Sequence, residues 1–123
     1  MQPSGAPPKI GRVYDPPGPD QGERILVDRL WPRGLTKEAA ALDQWCKEIA
    51  PSDELRRWYG HDPERFEEFA EHYRAELELP ERAAALSRLV ESSREHRVTL
   101  LTATKDPELS LAAVLRDLID DAT

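Results

Sequence analysis

Cysteine is nearly absent from this chain of 123 residues, which contains a single cysteine. Cys46 cannot form a disulfide within the chain, so a reducing cytoplasm is the expected compartment. Cys46 also lacks a cysteine partner for zinc, and the histidines at positions 61, 72 and 96 lack the paired spacing of metal ligands. The sequence therefore predicts no metal site and no other cofactor.

Positive charge is scarce as well: 17 Lys and Arg stand against 24 Asp and Glu, a net charge of −7. Generic attraction to nucleic acid depends on clustered Lys and Arg, so a nucleic-acid partner is not expected. No stretch approaches the roughly 18 apolar residues of a membrane span. The segment Met1–Pro8 has neither the basic region nor the apolar run of a signal peptide, so no membrane association is expected.

Glycine-rich signatures are missing too. The six glycines form no phosphate-binding loop and no dinucleotide fingerprint, and no serine nucleophile elbow occurs. With 39% hydrophobic and 33% charged residues, the composition is that of a globular protein. We predict a flexible N-terminal tail at residues 1–9 and a single domain at residues 10–123.

Three apolar segments are predicted to be strands: Ile10–Tyr14, Arg24–Leu30 and Arg97–Thr102. The proline-containing link between the first two is shorter than a parallel crossover normally requires. These two strands are therefore expected to be either antiparallel neighbours or not neighbours at all. The link from the second strand to the third is roughly 70 residues long, which is enough for a parallel crossover, so these two strands can form a parallel pair.

The predicted helices share a capping residue or a proline at their start. They are Lys37–Lys47 after Thr36, Asp53–Tyr59 after Ser52, a helix from Asp62-Pro63-Glu64 to about Leu77, one from Pro80 through Val90, and one from Asp106-Pro107-Glu108 through Leu118. Together these elements predict an α/β fold: a single domain with a small parallel or mixed central sheet flanked by several helices.

The most informative stretch is Val27–Gly34, Val-Asp-Arg-Leu-Trp-Pro-Arg-Gly, which follows an apolar strand. Loops at strand ends are common sites of function in α/β proteins, and two arginines close together suggest an anionic ligand. We expect Arg29, Trp31 and Arg33 to bind such a ligand, with Asp28 as a proton-transferring group. The alternative is structural: Asp28 pairs with Arg29 or Arg33, and Trp31 fills the core.

Three further residues are candidates for the site: Lys105, His61 and Asp15. Lys105 follows the third predicted strand, so it shares an edge with residues 28–33 if the second and third strands are parallel. His61 is a candidate acid–base group, although a local hydrogen-bonding role is the alternative. Asp106 is a candidate helix cap, and Asp15 could form a third wall of the site.

Five segments along the chain form a distinctive series: Arg12–Pro17, Val27–Gly34, Ala50-Pro51-Ser52 with Leu55-Arg56, His61-Asp62-Pro63, and Val98–Leu101 with Lys105-Asp106. In this order they resemble the YeaO-like family of bacterial proteins. The resemblance runs in order from about Ile10 to Leu118, which is nearly the whole chain. It implies a small cytoplasmic α/β domain with no established cofactor and no settled activity.

Three functions remain open at this point. The first is an enzyme acting on a small anionic substrate, such as a phosphate- or nucleotide-bearing metabolite. The second is a non-catalytic module that binds an anionic metabolite in the same pocket. The third is a protein- or nucleic-acid-interaction adaptor in which the arginines are structural. Oligomeric state is not indicated by the sequence.

Overall fold

The computed structural model describes residues 7–122, in which four strands form one parallel sheet. The strands are β1 (Lys9–Arg12), β2 (Glu23–Leu26), β3 (Gln44–Trp45) and β4 (Val98–Thr102), in the spatial order β1-β4-β2-β3. The expected α/β fold with a small central sheet is confirmed, and the sheet is parallel throughout. Because β4 lies between β1 and β2, β1 and β2 are not neighbours. This is the second of the two arrangements that the sequence predicts for them.

Within residues 7–122, five α-helices accompany the sheet. They are α1 (Lys37–Ala40), α2 (Asp53–Tyr59), α3 (Phe66–Glu76), α4 (Pro80–Glu95) and α5 (Leu111–Ala122), and short 3-10 turns occupy Lys47–Ile49, Pro63–Arg65 and Pro107–Leu109. No helix in the described range is long and apolar enough to cross a membrane. Of the predicted N-terminal tail, residues 1–6 lie outside the described residues, whereas Lys9 already pairs with Thr99 in the sheet.

The predicted caps act on their own segments. The hydroxyls of Thr36 and Ser52 accept hydrogen bonds from backbone N–H groups three residues ahead, which satisfies donors that a helix start leaves unpaired. Asp62 and Asp106 accept from the N–H two residues ahead and open 3-10 turns, which precede α3 and α5. Asp106 therefore caps the 3-10 turn before α5 and not the last helix itself, because the extended backbone of Ser110 separates the two.

The predicted helix Lys37–Lys47 is wrong, because α1 ends at Ala40. Ala41 adopts a left-handed conformation with φ 49°, and Gln44–Trp45 then pairs with β2. The buried side chain of Arg24 explains the early end, since its guanidinium donates hydrogen bonds to the carbonyls of Ala40 and Ala41. A contact from a distant strand thus overrides local helix propensity.

Side chains of the sheet alternate between two apolar clusters, as strand geometry requires. Ile25 and Leu100 pack with residues of helices α2 to α5 in the larger cluster. Leu26 and Leu101 pack in the smaller cluster, whose partly buried members include Trp31 and Trp45. All five residues of β4 are buried, consistent with its central place in a sheet covered on both faces.

Two glycines with positive φ, Gly22 and Gly34, differ in how closely other backbone atoms approach them. A Cβ atom added to Gly22 (φ 68°) would lie 2.3 Å from the carbonyl oxygen of Arg97, whereas one added to Gly34 (φ 76°) would meet nothing within 4 Å. Left-handed strain alone costs about 1–2 kcal/mol. We therefore expect Gly34→Ala to lower the free energy of unfolding by about that amount, and Gly22→Ala by about 3 kcal/mol or more, because its clash adds to the strain. Urea denaturation of both variants measures this, and equal losses would contradict the described approach of Gly22 to Arg97.

Candidate functional site

A cavity of about 390 Å³ opens at the carboxyl edge of the sheet. Its lining includes Tyr14 beyond β1, Thr104 beyond β4, Asp28 beyond β2 and Ala50 beyond β3. All four strands therefore contribute to one concave surface. This is the edge at which open parallel sheets bind ligands, because the loops that follow the strands converge there.

Asp28 is fixed on both sides of its carboxylate. Its Oδ1 atom accepts a hydrogen bond from the Thr102 hydroxyl at 2.7 Å, and its Oδ2 atom accepts one from the Ala103 N–H at 2.7 Å. The ion-pair interpretation is wrong, since Asp28 forms no salt bridge with Arg29 or Arg33 among the described contacts. Burial raises the pKa of Asp28, while the two hydrogen bonds and nearby His61 act in the opposite direction.

The segment after Asp28 turns at Pro32, where the N–H of Leu35 donates to the Pro32 carbonyl at 3.4 Å. This turn brings the side chains of Arg29 and Arg33 into the lining of the same cavity, which an extended chain need not do. Arg29 Nε lies 3.7 Å from Asp53 Oδ1. Arg33 is exposed, and its guanidinium forms no ion pair with any residue that the structure describes.

Trp31 is both a packing residue and part of the cavity lining. Its indole N–H donates to the Leu35 carbonyl at 2.7 Å, and its ring meets the ring of Trp45 edge-on at 5.4 Å. These contacts belong to the smaller apolar cluster, so the core-filling interpretation holds for much of the side chain. The remaining surface of Trp31 faces the cavity.

His61 also lines the cavity, directly after the Gly60 cap at the C-terminus of α2. It adopts φ 58°, directly after Gly60 at φ 53°. A histidine in the left-handed region is uncommon, and such residues concentrate at functional sites. His61 also lies close enough to Asp28 to influence the charge of that carboxylate.

Lys105 is the predicted site residue that the structure leaves outside the cavity. It is exposed and does not line the surface, although Ala103 and Thr104 just before it do. Asp15 is likewise absent from the lining, and its neighbour Tyr14 occupies the wall instead. The Tyr14 hydroxyl donates to the Arg33 carbonyl at 3.0 Å and so connects the end of β1 to the arginine turn.

Other lining residues were not identified from the sequence as parts of a site. Arg56, Tyr59 and Ser110 all contribute, and Tyr59 donates from its hydroxyl to the Leu109 carbonyl at 2.6 Å. Arg56 lies on α2, and its side chain approaches Asp53 at 3.4 Å. The only signal for Arg56 was the resemblance that includes Leu55-Arg56, because a helix pattern does not reveal which sheet edge the helix overhangs.

Metal and thiol chemistry have no evident centre in the described part of the chain. Residues 7–122 contain no group of three or more His, Cys, Asp or Glu side chains that could hold a metal ion. Cys46 is buried, and burial raises the pKa of its thiol to about 11. A thiol with so high a pKa is a poor nucleophile at neutral pH. Cys46 directly follows β3 and does not lie in the predicted helix.

The sequence model of one protein family, described as the "Inactive DUF488-N3 subclade", matches residues 9–123. Uncharacterized protein YeaO of Escherichia coli K12 is 44% identical over 106 residues, covering 86% of this chain and 90% of that protein. This chain belongs to the YeaO-like DUF488 family.

Similarity extends to mycobacteria. Uncharacterized proteins of Mycobacterium tuberculosis H37Rv and Mycobacterium bovis are each 46% identical to this YeaO-like chain over 112 residues. The alignments cover 91% of this chain and 92% of each relative. No solved structure matches the chain. These relatives are all named as uncharacterized proteins, so they support the family and do not indicate a function.

The raised pKa of Asp28 has a consequence for stability. The ordinary pKa of this carboxyl is 3.8, and the folded value is higher, so the folded protein binds this proton more tightly than the unfolded chain does. The stabilisation from protonated Asp28 is therefore complete below the ordinary pKa and is lost as the pH rises through the folded pKa. The difference in free energy of unfolding between the natural protein and Asp28→Asn should shrink as the pH rises from about 4 towards 7. Urea denaturation across this range measures the difference, and a value that stays constant or grows with pH would exclude a raised pKa.

Proposed function

We propose that this protein is a non-catalytic binding module for a small anionic metabolite, which it holds in the cavity at the carboxyl edge of the sheet. The observation that carries the proposal is the state of Arg33. Arg33 lines the cavity and its guanidinium has no ionic partner among the described residues, although the chain as a whole is strongly acidic. An unpaired guanidinium offers a planar array of donors that matches a phosphate or carboxylate.

The charges around the cavity support the same proposal. Three arginines line it, at positions 29, 33 and 56, whereas Asp28 is the only carboxylate in the lining. Asp53 pairs with two of these arginines from outside the lining. Counted against Asp28 and Asp53, the three guanidiniums leave one positive charge, and this local balance favours an anionic occupant.

Binding is favoured over turnover by the condition of Asp28. Both of its carboxylate oxygens accept hydrogen bonds from the end of β4, through Thr102 and Ala103, so this carboxylate already has a structural task in the protein without a ligand. The family description also calls this subclade inactive. The compartment proposed for this module is the cytoplasm, in keeping with the single cysteine.

An enzyme acting on the same anion is the second candidate, and His61 is the observation in its favour. This histidine lies beside Asp28 in the cavity wall and has a left-handed backbone. In that case the arginines would bind the substrate and His61 or Asp28 would move the proton. The adaptor hypothesis expects Trp31 to be buried and both Arg29 and Arg33 to be paired. It is less supported, because Trp31 is only partly buried and Arg33 forms no ion pair with a described residue.

Removal of the Arg33 side chain tests the proposal. Arg33→Ala should weaken the binding of ribose 5-phosphate about tenfold or more, because a charge-assisted bidentate contact is worth about 1.5–3 kcal/mol. The melting temperature should stay nearly unchanged, since the side chain is exposed. Isothermal titration calorimetry measures the dissociation constants. Lys105→Ala is the matched control, because it removes the same charge from an exposed position outside the cavity.

The outcomes separate the hypotheses. Equal losses in Arg33→Ala and Lys105→Ala would show that only net charge matters, and absence of binding to the natural protein would contradict an anion site. Phosphorus NMR of the bound ligand then tests for turnover. An unchanged ligand supports the binding module, whereas conversion that disappears in His61→Ala would establish the enzyme.

A further inference from the structure

Asp53 occupies an unusual position between two arginines of the cavity. One of its oxygens, Oδ1, lies 3.7 Å from Arg29 Nε and 3.4 Å from Arg56 Nη2. Both arginines line the cavity, whereas Asp53 does not. A single carboxylate oxygen of the protein therefore already serves two of the three guanidiniums that the proposed ligand would use.

The contacts of Asp53 are weak enough to be exchanged. The side chains of Asp53, Arg29 and Arg56 are each about half exposed, at 48%, 49% and 48%. Exposed ion pairs at such distances contribute little to stability because water screens them. The arginines can therefore turn to a ligand without a large loss of folded stability.

This exchange favours one class of anion over another. A ligand carboxylate that replaced Asp53 would offer the arginines the same group that they already contact, so the exchange would gain little. A phosphate monoester carries about 1.5 to 2 negative charges at neutral pH and three acceptor oxygens. It can therefore compete for Arg29 and Arg56 while also contacting Arg33.

We propose that Asp53 is an internal competitor that makes the cavity selective for phosphate monoesters over carboxylates. This inference rests on the proposed anion-binding function and assigns its ligand class. Asp53 acts through the two arginines and through its own negative charge, without touching the ligand. Its removal should therefore strengthen anion binding, which a residue with only a positioning role would not do.

The test compares two variants in the first turn of α2. Asp53→Asn removes the competing charge and keeps the side-chain size. Glu54→Gln removes the same charge one residue away, from an exposed side chain outside the cavity lining. Calorimetric titrations use a matched pair of probes, glycerol 3-phosphate and glycerate, and melting curves check that each variant is folded.

We expect the natural protein to bind glycerol 3-phosphate more tightly than glycerate. Asp53→Asn should bind both ligands roughly three- to tenfold more tightly than the natural protein, with the larger gain for glycerate, whereas Glu54→Gln should change either affinity less than about twofold. Equal gains in affinity in the two variants would show that only the net charge of the protein matters. Weaker binding by Asp53→Asn would show that Asp53 positions the arginines. Either result overturns the competitor role and leaves the anion site in place. If neither the natural protein nor Asp53→Asn binds either probe, the proposed function itself fails.

Discussion

The carboxylate and carbonyl of Asp28 hold together three of the four strand ends from which the cavity is built. Its side chain accepts hydrogen bonds from Thr102 and Ala103 at the end of β4, and its backbone carbonyl accepts one from the Trp45 indole at 2.7 Å. Asp28 itself follows β2, so one residue joins β4, β2 and β3 where their backbones diverge. The direction of the following segment, and with it the position of both turn arginines, depends on this attachment.

Fixing that segment explains how an acidic protein can gather three arginines around one cavity. Arginine side chains are long, and scattered arginines on a surface would be screened by solvent and by neighbouring acids. The turn at Pro32 instead places Arg29 and Arg33 in one lining, and α2 adds Arg56. The cavity walls exclude part of the solvent, which strengthens the interaction of these charges with an anion.

Local signals in the sequence were sufficient for much of the fold. Short-range patterns indicate the helix starts at Thr36 and Ser52 and the buried strand that ends at Thr102. The length of the connection between β2 and β4 indicates that these strands can be parallel neighbours. The end of α1 could not be predicted, because it depends on Arg24, a strand residue whose buried guanidinium reaches the helix carbonyls. The same limit applied to the site: Arg33 lay in a recognisable loop, whereas Arg56 reaches the cavity only through the packing of α2. Lys105 failed to line the cavity because sharing a sheet edge does not fix the direction of a side chain.

Under the proposed function, the cavity at the carboxyl edge, and no other surface, receives a small anion. The most direct measurement is a titration of the ¹⁵N-labelled protein with inorganic phosphate, followed by heteronuclear NMR. An anion held in this cavity should produce saturable shifts of the amide signals that cluster at residues 28–33, 56, 61 and 103–104, which surround the cavity. Shifts centred on arginines elsewhere, such as Arg94 and Arg97 at the opposite end of β4, or no saturable shifts at all, would contradict it.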